Sequence, residues 1–411
     1  MSASLEACGR AIQKRTASAT HLPALTGMRA VAALLVVATH AAFATGALNR
    51  GYLGAVYARL DIGVAIFFAL SGFLLFRPWV TAATTGAAPP SPTLYARHRV
   101  RRIVPAYLVA VLATFAVYTV FTPGPNPGQT WHGLLRYLTL TQIYTDDYLF
   151  TYLHTGLSQM WSLAVEVSFY AALPAIATVL LRRATRSADT LKKLAALSAV
   201  TPLWLIVAHT TDLLPNSAGM WLPGHLACFT GGLAVAVLAV HGARWNAWAT
   251  LPVATALFLA VATPIGGVIV GPDPAWVPVT KAVLYAAIST LVVGTAVLGS
   301  RGMYTRVLSS RPLTWLGEIS YEIFLLHVAV MAVLMHVVLR WPLFTGSLAV
   351  LYTLTLAVTI LLAYLLHHYT RARSAGTNSA SARPRCDAAS FSSGVNSAAV
   401  RVEPSPMNTG S

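Results

Sequence analysis

Apolar segments of about 20 residues recur along almost the whole chain, and no other feature constrains the fold as strongly. A helix needs roughly that length to cross about 30 Å of hydrocarbon. The sequence predicts ten such spans, near residues 23–43, 58–77, 103–121, 160–181, 194–210, 221–240, 247–265, 279–299, 318–338 and 346–366. We therefore predict an all-α integral membrane protein that is multi-pass in the cell membrane, with the lipid bilayer as a partner.

Composition supports a membrane protein over a soluble one. Hydrophobic residues make up 56% of the 411 residues, and charged residues only 10%. Soluble domains carry about 25% charged residues. The net charge of +16 would suit a nucleic-acid binder. Basic residues concentrated in cytoplasmic loops explain it better, because such loops set membrane orientation, so we expect no nucleic-acid partner.

The basic residues also predict which side each loop faces. If the N-terminus is cytoplasmic, only five of the 28 Lys and Arg residues fall on the opposite side: Arg50, Arg59, Arg136, Lys281 and Arg340. Ten spans with both termini cytoplasmic follow from this asymmetry. The first span resembles a signal peptide, but losing it would invert the charge pattern, so we expect it to remain. Residues 1–21 are predicted to be a cytoplasmic segment, 22–370 the transmembrane domain, and 371–411 a disordered cytoplasmic tail.

The first span carries Arg29 near one end and His40 near the other. Eleven helical residues turn through about 1100°, so the two side chains lie within roughly 20° of one face and about 16 Å apart along the axis. Charged and titratable side chains inside a membrane are costly and usually functional. The alternative is that Arg29 anchors the cytoplasmic end and His40 caps the other.

The next two spans each contribute a polar motif. Ser71-Gly72, inside the second span, indicates either close helix packing or a close approach of the backbone to a ligand or to the first helix. The run from Arg97 to Arg102 stands at the cytoplasmic entrance of the third span, and Arg99 and Arg102 lie one helical turn apart. Guanidinium groups match phosphate oxygens, so the run would suit a nucleotide, coenzyme A or lipid phosphate.

Later spans hold an isolated acid and a histidine. Glu166 is the only acid in the apolar run that opens the fourth span. It is expected to face the protein interior with a partner, either as a structural hydrogen bond or at the depth of His40, where a carboxylate could orient the histidine. For His327, in the ninth span, we expect a structural or supporting role.

Five sequence blocks in this order resemble the membrane-bound acyltransferase family 3. They are the Arg-x10-His helix, Phe-x-Leu-Ser-Gly-Phe, the Arg-rich run ending at Pro105, Trp-Ser-Leu-x-x-Glu-x-x-Phe-Tyr, and Ile-Ser-Tyr-x-x-Phe-Leu-x-His, within residues 22–327. The resemblance implies an integral-membrane O-acyltransferase that moves an acyl group, often acetyl, from acyl-CoA to a hydroxyl. Implied acceptors include glycans, glycolipids and macrolides; no permanently bound cofactor and no metal are expected.

The resemblance also implies site residues. Arg29, Arg99 and Arg102, with Ser71, would hold the coenzyme. His40 would take the acceptor's proton, and Glu166 would orient His40 or stabilise its imidazolium. Ser162, Tyr321 and His327 would stand on the acceptor side or in support.

The chain departs from the family pattern at its last span. Leu365–Thr370 replaces the acidic residue and Arg-Pro that many members carry there, which puts a C-terminal contact in doubt. The connection from Thr122 to Gln159 could bind a sugar through its aromatic and acidic residues, namely Trp131, Tyr144, Asp146, Asp147 and Tyr152. The competing hypotheses are a transporter or flippase with an Arg/His/Glu path, and a non-enzymatic lipid-binding scaffold.

Overall fold

The computed structural model describes residues 22–145, 153–182, 186–267, 273–300 and 302–380, and side chains as far as residue 370. These ranges are built from α-helices joined by turns and loops, which confirms the predicted all-α fold. The chain divides into one unit, Met1–Arg371, and a second, Ala372–Ser411. The predicted N-terminal segment and residues 381–411 of the predicted tail lie outside the described ranges, while helical backbone continues to Ala380.

The α-helices are numbered in chain order. They are α1 (Pro23–Ala44), α2 (Gly51–Ala58), α3 (Ile62–Thr85), α4 (Pro92–Val117), α5 (Trp131–Leu138), α6 (Trp161–Leu181), α7 (Ser187–Ser198), α8 (Val200–Thr210), α9 (Leu222–Val240), α10 (Ala247–Val261), α11 (Trp276–Leu298), α12 (Met303–Leu308), α13 (Arg311–Glu318), α14 (Ser320–Val333) and α15 (Leu348–Ala380). Short 3₁₀ helices include Arg59–Asp61, Thr155–Met160 and Pro264–Gly266, and a π-helix, Leu334–Val338, extends α14.

Within the described residues, nine helices are long and apolar enough to cross a membrane, one fewer than the ten spans predicted. The difference falls at the predicted span 247–265. There α10 has only 15 residues. At 1.5 Å per residue it is about 22 Å long, which is short of the hydrocarbon thickness.

Helix α10 nevertheless runs antiparallel along α11. Near its start, Thr250 Oγ1 lies 2.7 Å from Thr295 Oγ1, close to the end of α11. Beyond its other end, Gly267 packs against Val277, at the start of α11. With its 3₁₀ turn, α10 therefore covers nearly the same depth as the full span beside it. Counting α10 as a crossing beside the nine longer helices, the described residues pass through the helical layer ten times.

The start of α1 and the end of the membrane-crossing part of α15 lie on the same face of the helical layer. Helix α15 runs antiparallel to α1, because the Phe344 N–H, just before α15, donates to Ala44 O at the end of α1 (2.7 Å). Farther along α15, His367 lies 2.8 Å from Glu322 in the first turn of α14. An even number of crossings agrees with this arrangement, and the basic residues indicate that this face is cytoplasmic.

Helix α1 is packed on several sides, by α3, α13 and α14. Ala32, Val37 and Ala41 on it are completely buried. Glycine allows the close approach of α3, since a Cβ at Gly63 would lie 2.3 Å from Ala32 O. Small residues at such contacts let helix backbones approach closely in a membrane.

The two residues of the Ser71-Gly72 pair have different surroundings. Gly72 packs against α9, where an added Cβ would lie 2.3 Å from Phe229 O, and Gly232 of α9 approaches Ala69 O in return. This confirms the packing interpretation for Gly72. Ser71, about 100° away around the helix, faces a cavity instead.

Candidate active site

A cavity of about 90 Å³ lies between α1, α3, α4, α6 and α14. It brings together seven of the nine residues that the sequence singled out: Arg29, Ser71, Arg99, Arg102, Ser162, Glu166 and Tyr321. The rest of its wall is mainly apolar, with Phe67, Phe68 and Phe324. The other two residues, His40 and His327, lie outside this cavity lining and contact each other.

Three arginines line this cavity. Arg29 comes from α1, and Arg99 and Arg102 come from successive turns of α4, so the predicted same-face spacing is observed. Arg29 interacts electrostatically with both of the others and with Glu166. Within the described chain the Nε of Arg99 is buried and has no hydrogen-bond partner. Clustered like charges beside an unsatisfied buried donor suit an anionic ligand.

Glu166 accepts two hydrogen bonds on one carboxylate oxygen. Ser71 Oγ and Tyr170 OH both donate to its Oε1. The two hydroxyl oxygens lie 3.4 Å apart. Tyr170 in turn accepts a bond at its backbone carbonyl from Tyr95 OH, 3.2 Å away on α4. Sequence reasoning assigned no role to Tyr170, although its position four residues after Glu166 places both on one helix face.

The expected contact between Glu166 and His40 is wrong. Glu166 shares a cavity with Arg29, about three turns from His40 along α1. The reason is the chain before α6, where the 3₁₀ helix Thr155–Met160 packs against the middle of α14 and Gln159 Nε2 donates to Leu325 O (2.9 Å). Helix α6 therefore starts within the helical layer, and Glu166 lies deeper than its place in the sequence suggests.

His40 instead pairs with His327 of α14. His327 Nε2 lies 3.3 Å from His40 Nδ1, and the ring centroids are 5.0 Å apart. His40 Nδ1 also lies 2.8 Å from Val36 O, and His327 Nδ1 lies 2.8 Å from Phe324 O. The structural or supporting role predicted for His327 stays a prediction, and the sequence had not placed it in contact with His40.

Phe324 joins the cavity to the histidine pair. Its ring lines the cavity, 6.4 Å between centroids from Phe67, and its carbonyl holds His327. Two residues predicted to stand on the acceptor side or in support line the same cavity as the arginines, and their role stays a prediction. Ser162 lines the cavity, as does Tyr321, whose OH donates to Ile103 O of α4 at 3.1 Å.

A charged cluster at the opposite membrane face was missed by sequence reasoning. Asp61 bonds to Lys281 Nζ at 2.9 Å and accepts a bond from Tyr285 OH. Arg59, on the same 3₁₀ helix, donates to Gly267 O at 2.7 Å. Asp61 is also near enough to His40 for an electrostatic interaction. An acid and a lysine at the ends of separate apolar runs were the available signal, but their pairing needs the tertiary fold.

The residues considered for sugar binding are only partly described. Asp146, Asp147 and Tyr152 lie outside the described residues. Trp131 is 84% exposed. Tyr144 bonds to Ser168 Oγ (2.8 Å) and lies beside another aromatic ring.

The family model for the acyltransferase domain matches residues 22–368, which include the cavity and the histidine pair. The chain belongs to acyltransferase family 3. This family 3 protein is thus a multi-pass membrane O-acyltransferase. It is similar to the acyltransferase MdmB of Streptomyces mycarofaciens, with 29% identity over 84% of this chain and 89% of the relative.

Two further relatives of this family 3 acyltransferase carry more specific names. The peptidoglycan O-acetyltransferase OatA of Listeria monocytogenes is 23% identical over 76% of this chain, which spans about half of that relative's length (50%). The O-acetyltransferase OatA of Staphylococcus aureus is 25% identical over 47% of this chain and 30% of the relative. No solved structure matches the chain.

Proposed function

We propose that this acyltransferase moves an acyl group, acetyl in the first instance, from acyl-coenzyme A to a hydroxyl of a glycan, a glycolipid or a macrolide-type metabolite. The observation that carries the proposal is the convergence of Arg29, Arg99 and Arg102 on one cavity near the cytoplasmic face. The names of the relatives, two of them O-acetyltransferases, support acetyl as the group.

The arginine cavity suits the donor's phosphates. Three guanidinium groups repel one another, and an anion between them relieves that repulsion. The unpartnered Nε of Arg99 offers a further donor. Planar guanidinium forks bind phosphate oxygens with two parallel hydrogen bonds. Coenzyme A carries several phosphates and is made in the cytoplasm, on the side that the basic loops face.

His40 is proposed as the general base. Its lone-pair nitrogen takes the proton from the acceptor hydroxyl while that oxygen attacks the thioester carbonyl. The new C–O bond forms, the C–S bond breaks, and the leaving thiolate receives the proton. Arg29 and His40 are three helical turns apart, a distance of the same order as the extended pantetheine arm of a donor held at the arginines.

Glu166 is proposed to organise the donor end rather than the base. Its carboxylate lies in electrostatic range of Arg29 and Arg99 and is held by hydroxyls of Ser71 and Tyr170. Those two hydrogen bonds occupy Oε1, and among the described residues Glu166 forms no ion pair with an arginine. The guanidinium groups then stay available to phosphate.

The donor site is tested with matched arginine variants of the purified protein in lipid nanodiscs. Arg99→Gln should raise the KM for acetyl-CoA at least about tenfold, because a charge-assisted bond to phosphate is lost. Arg101→Gln is the control, since Arg101 is exposed and is not among the residues that line the cavity. Equal effects of the two substitutions would contradict the assignment. Loss of bound lipid with an unchanged KM would indicate lipid phosphate as the occupant.

The base is tested by thiol release. His40→Ala should abolish release of coenzyme A in the presence of acceptor while acetyl-CoA binding is retained. Undiminished release would contradict the role of His40.

The transporter alternative predicts flux across vesicles without acyl transfer, and this flux would survive His40→Ala. Membership of an acyltransferase family weighs against that alternative. Mass spectrometry of glycans, lipids and secreted metabolites from a deletion strain should identify the acceptor as a product one acyl group lighter.

A further inference from the structure

The two buried histidines have a hydrogen-bond pattern that determines their tautomers. A carbonyl oxygen only accepts hydrogen bonds, so a ring nitrogen beside one must carry hydrogen. His40 Nδ1 faces Val36 O at 2.8 Å. His327 Nδ1 faces Phe324 O at 2.8 Å and Ile323 O at 3.2 Å. Both rings therefore carry hydrogen on Nδ1.

The contact between the rings is then directional. A neutral His327 with hydrogen on Nδ1 has a lone pair on Nε2. That lone pair faces His40 Nδ1 at 3.3 Å. The His40 Nδ1–H is thus shared between Val36 O and His327 Nε2 in a three-centre hydrogen bond. The remaining nitrogen of His40, Nε2, carries the only other lone pair of the two rings.

The same pattern decides which ring takes a proton. If His40 gains one at Nε2, its Nδ1–H bond to His327 remains and becomes charge-assisted. If His327 gained one at Nε2, two N–H groups would face each other across 3.3 Å. The pair therefore accepts a proton on His40 and not on His327.

We propose that His327 is a positioning residue for His40: together with Val36 O it keeps hydrogen on Nδ1, which leaves Nε2 basic, and it accepts the Nδ1–H bond when His40 becomes an imidazolium. In serine hydrolases a carboxylate does this for the catalytic histidine. A buried neutral ring does it here, since His327 is completely buried. The inference rests on the proposed function, in which His40 is the base.

The surroundings of the pair are consistent with this role. On α14 the Phe324 ring lies 6.0 Å from that of His327 between centroids. From the 3₁₀ helix before α3, Asp61 reaches His40 electrostatically, but its carboxylate is already bonded to Lys281 and Tyr285. His327 is accordingly the side chain that shares the Nδ1 hydrogen, and Asp61 acts at longer range.

Three variants of the full-length protein test the inference. His327→Leu removes the acceptor and should lower kcat about 100-fold, within the range for general-base catalysis, while the KM for acetyl-CoA changes by less than about threefold. His327→Gln provides an amide oxygen that can accept the bond and should recover at least about tenfold of that loss. The control is His336→Leu, since His336 bonds to Ala332 O in the same manner but contacts Phe121 instead of a histidine.

Two results would overturn the inference. One is an unchanged kcat in His327→Leu while the wild type releases coenzyme A from acetyl-CoA, which would leave the proposed function intact. The other is a nitrogen-15 spectrum of the wild-type protein that shows His40 with hydrogen on Nε2 alone; this measurement decides the matter even if His327→Leu fails to fold. If the wild type releases no coenzyme A from any acyl-CoA, the proposed function itself fails.

Discussion

Mild acid is expected to weaken the segment that leads into α6, because His154 is buried there in its neutral form. Its Nδ1 accepts a bond from the Gly156 N–H (3.1 Å), which caps the 3₁₀ helix Thr155–Met160. Its Nε2–H donates to Gln129 Oε1 (2.7 Å). The rings of Phe115 and Tyr118 lie within 4.7 Å of its ring, between centroids. A second proton would have to go to Nδ1, where it would break the cap.

The size of the effect follows from the pKa. Burial lowers the pKa of His154 from its ordinary value of 6.5 to about 4. Between these values the unfolded chain binds more protons than the folded one. The contribution of His154 to the free energy of unfolding is therefore fully present above pH 6.5 and is lost as the pH drops towards 4. The free energy of unfolding should decrease by about 2 kcal/mol between pH 8 and pH 5, and by about 3 kcal/mol at pH 4.

Thermal unfolding in nanodiscs across this pH range measures the loss. His154→Asn is the control, because asparagine offers an oxygen to the Gly156 N–H but cannot be protonated. That variant should be less stable than the wild type at pH 8, since it lacks the ring, and should lose less stability on acidification. Because the same 3₁₀ helix sets the depth of Glu166, acetyl transfer should fall along with stability.

A wild-type unfolding midpoint that stays constant from pH 8 to pH 5 would refute the reasoning. So would an equal pH dependence in His154→Asn, because the titrating group would then be another residue. Titration of the His154 ring by NMR separates these outcomes, since the argument requires its folded-state pKa to lie well below 6.5.

Two further substitutions probe the packing and the donor end. Gly72→Ala places a Cβ 2.3 Å from Phe229 O and should lower the free energy of unfolding by about 1–3 kcal/mol. Gly124→Ala is the control and should leave the thermal midpoint unchanged, because no atom lies within 4 Å of the new carbon. Equal effects of the two substitutions would contradict the packing argument. Tyr170→Phe removes one hydrogen-bond donor to Glu166, so the carboxylate becomes free to pair with an arginine. The substitution should raise the KM for acetyl-CoA about tenfold at nearly constant kcat. An unchanged KM would contradict the role given to the carboxylate.

Local information was sufficient for the spans and for the arginine pair. Hydropathy is a property of consecutive residues, and a spacing of three residues places Arg99 and Arg102 on one face wherever the helix packs. Both predictions needed only the helical repeat. The predicted span at 247–265 was the exception, because α10 reaches its depth through a 3₁₀ turn and by lying along α11.

The depth of a side chain cannot be obtained in this way when a span does not begin at the membrane surface. Glu166 is five residues from the start of α6, which suggested a position near His40. The structure instead begins α6 against the middle of α14, held there by Gln159. Nothing in the hydropathy of residues 155–160 distinguishes a loop at the surface from a 3₁₀ helix within the bundle.

Contacts between residues of distant spans could not be predicted from the sequence either. His40 and His327 are separated by 287 positions, and Asp61 and Lys281 by 220. Each residue was noticeable as a polar group in or beside an apolar run. Which groups meet depends on how α1, α3, α11 and α14 are arranged around each other. The unusual Leu365–Thr370 segment is a similar case, since His367 finds its partner on α14.

The spacing along α1 links the two parts of the site. Arg29 faces a cavity completed by α4 and α6, and His40 meets a histidine of α14, so separate helices supply the partners at each end. Between them, Ala32 and Val37 are completely buried. A helix packed this closely cannot rotate or slide without displacing its neighbours. The distance from the arginines to His40 is therefore a fixed property of the fold, and the acyl donor proposed above would have to match it.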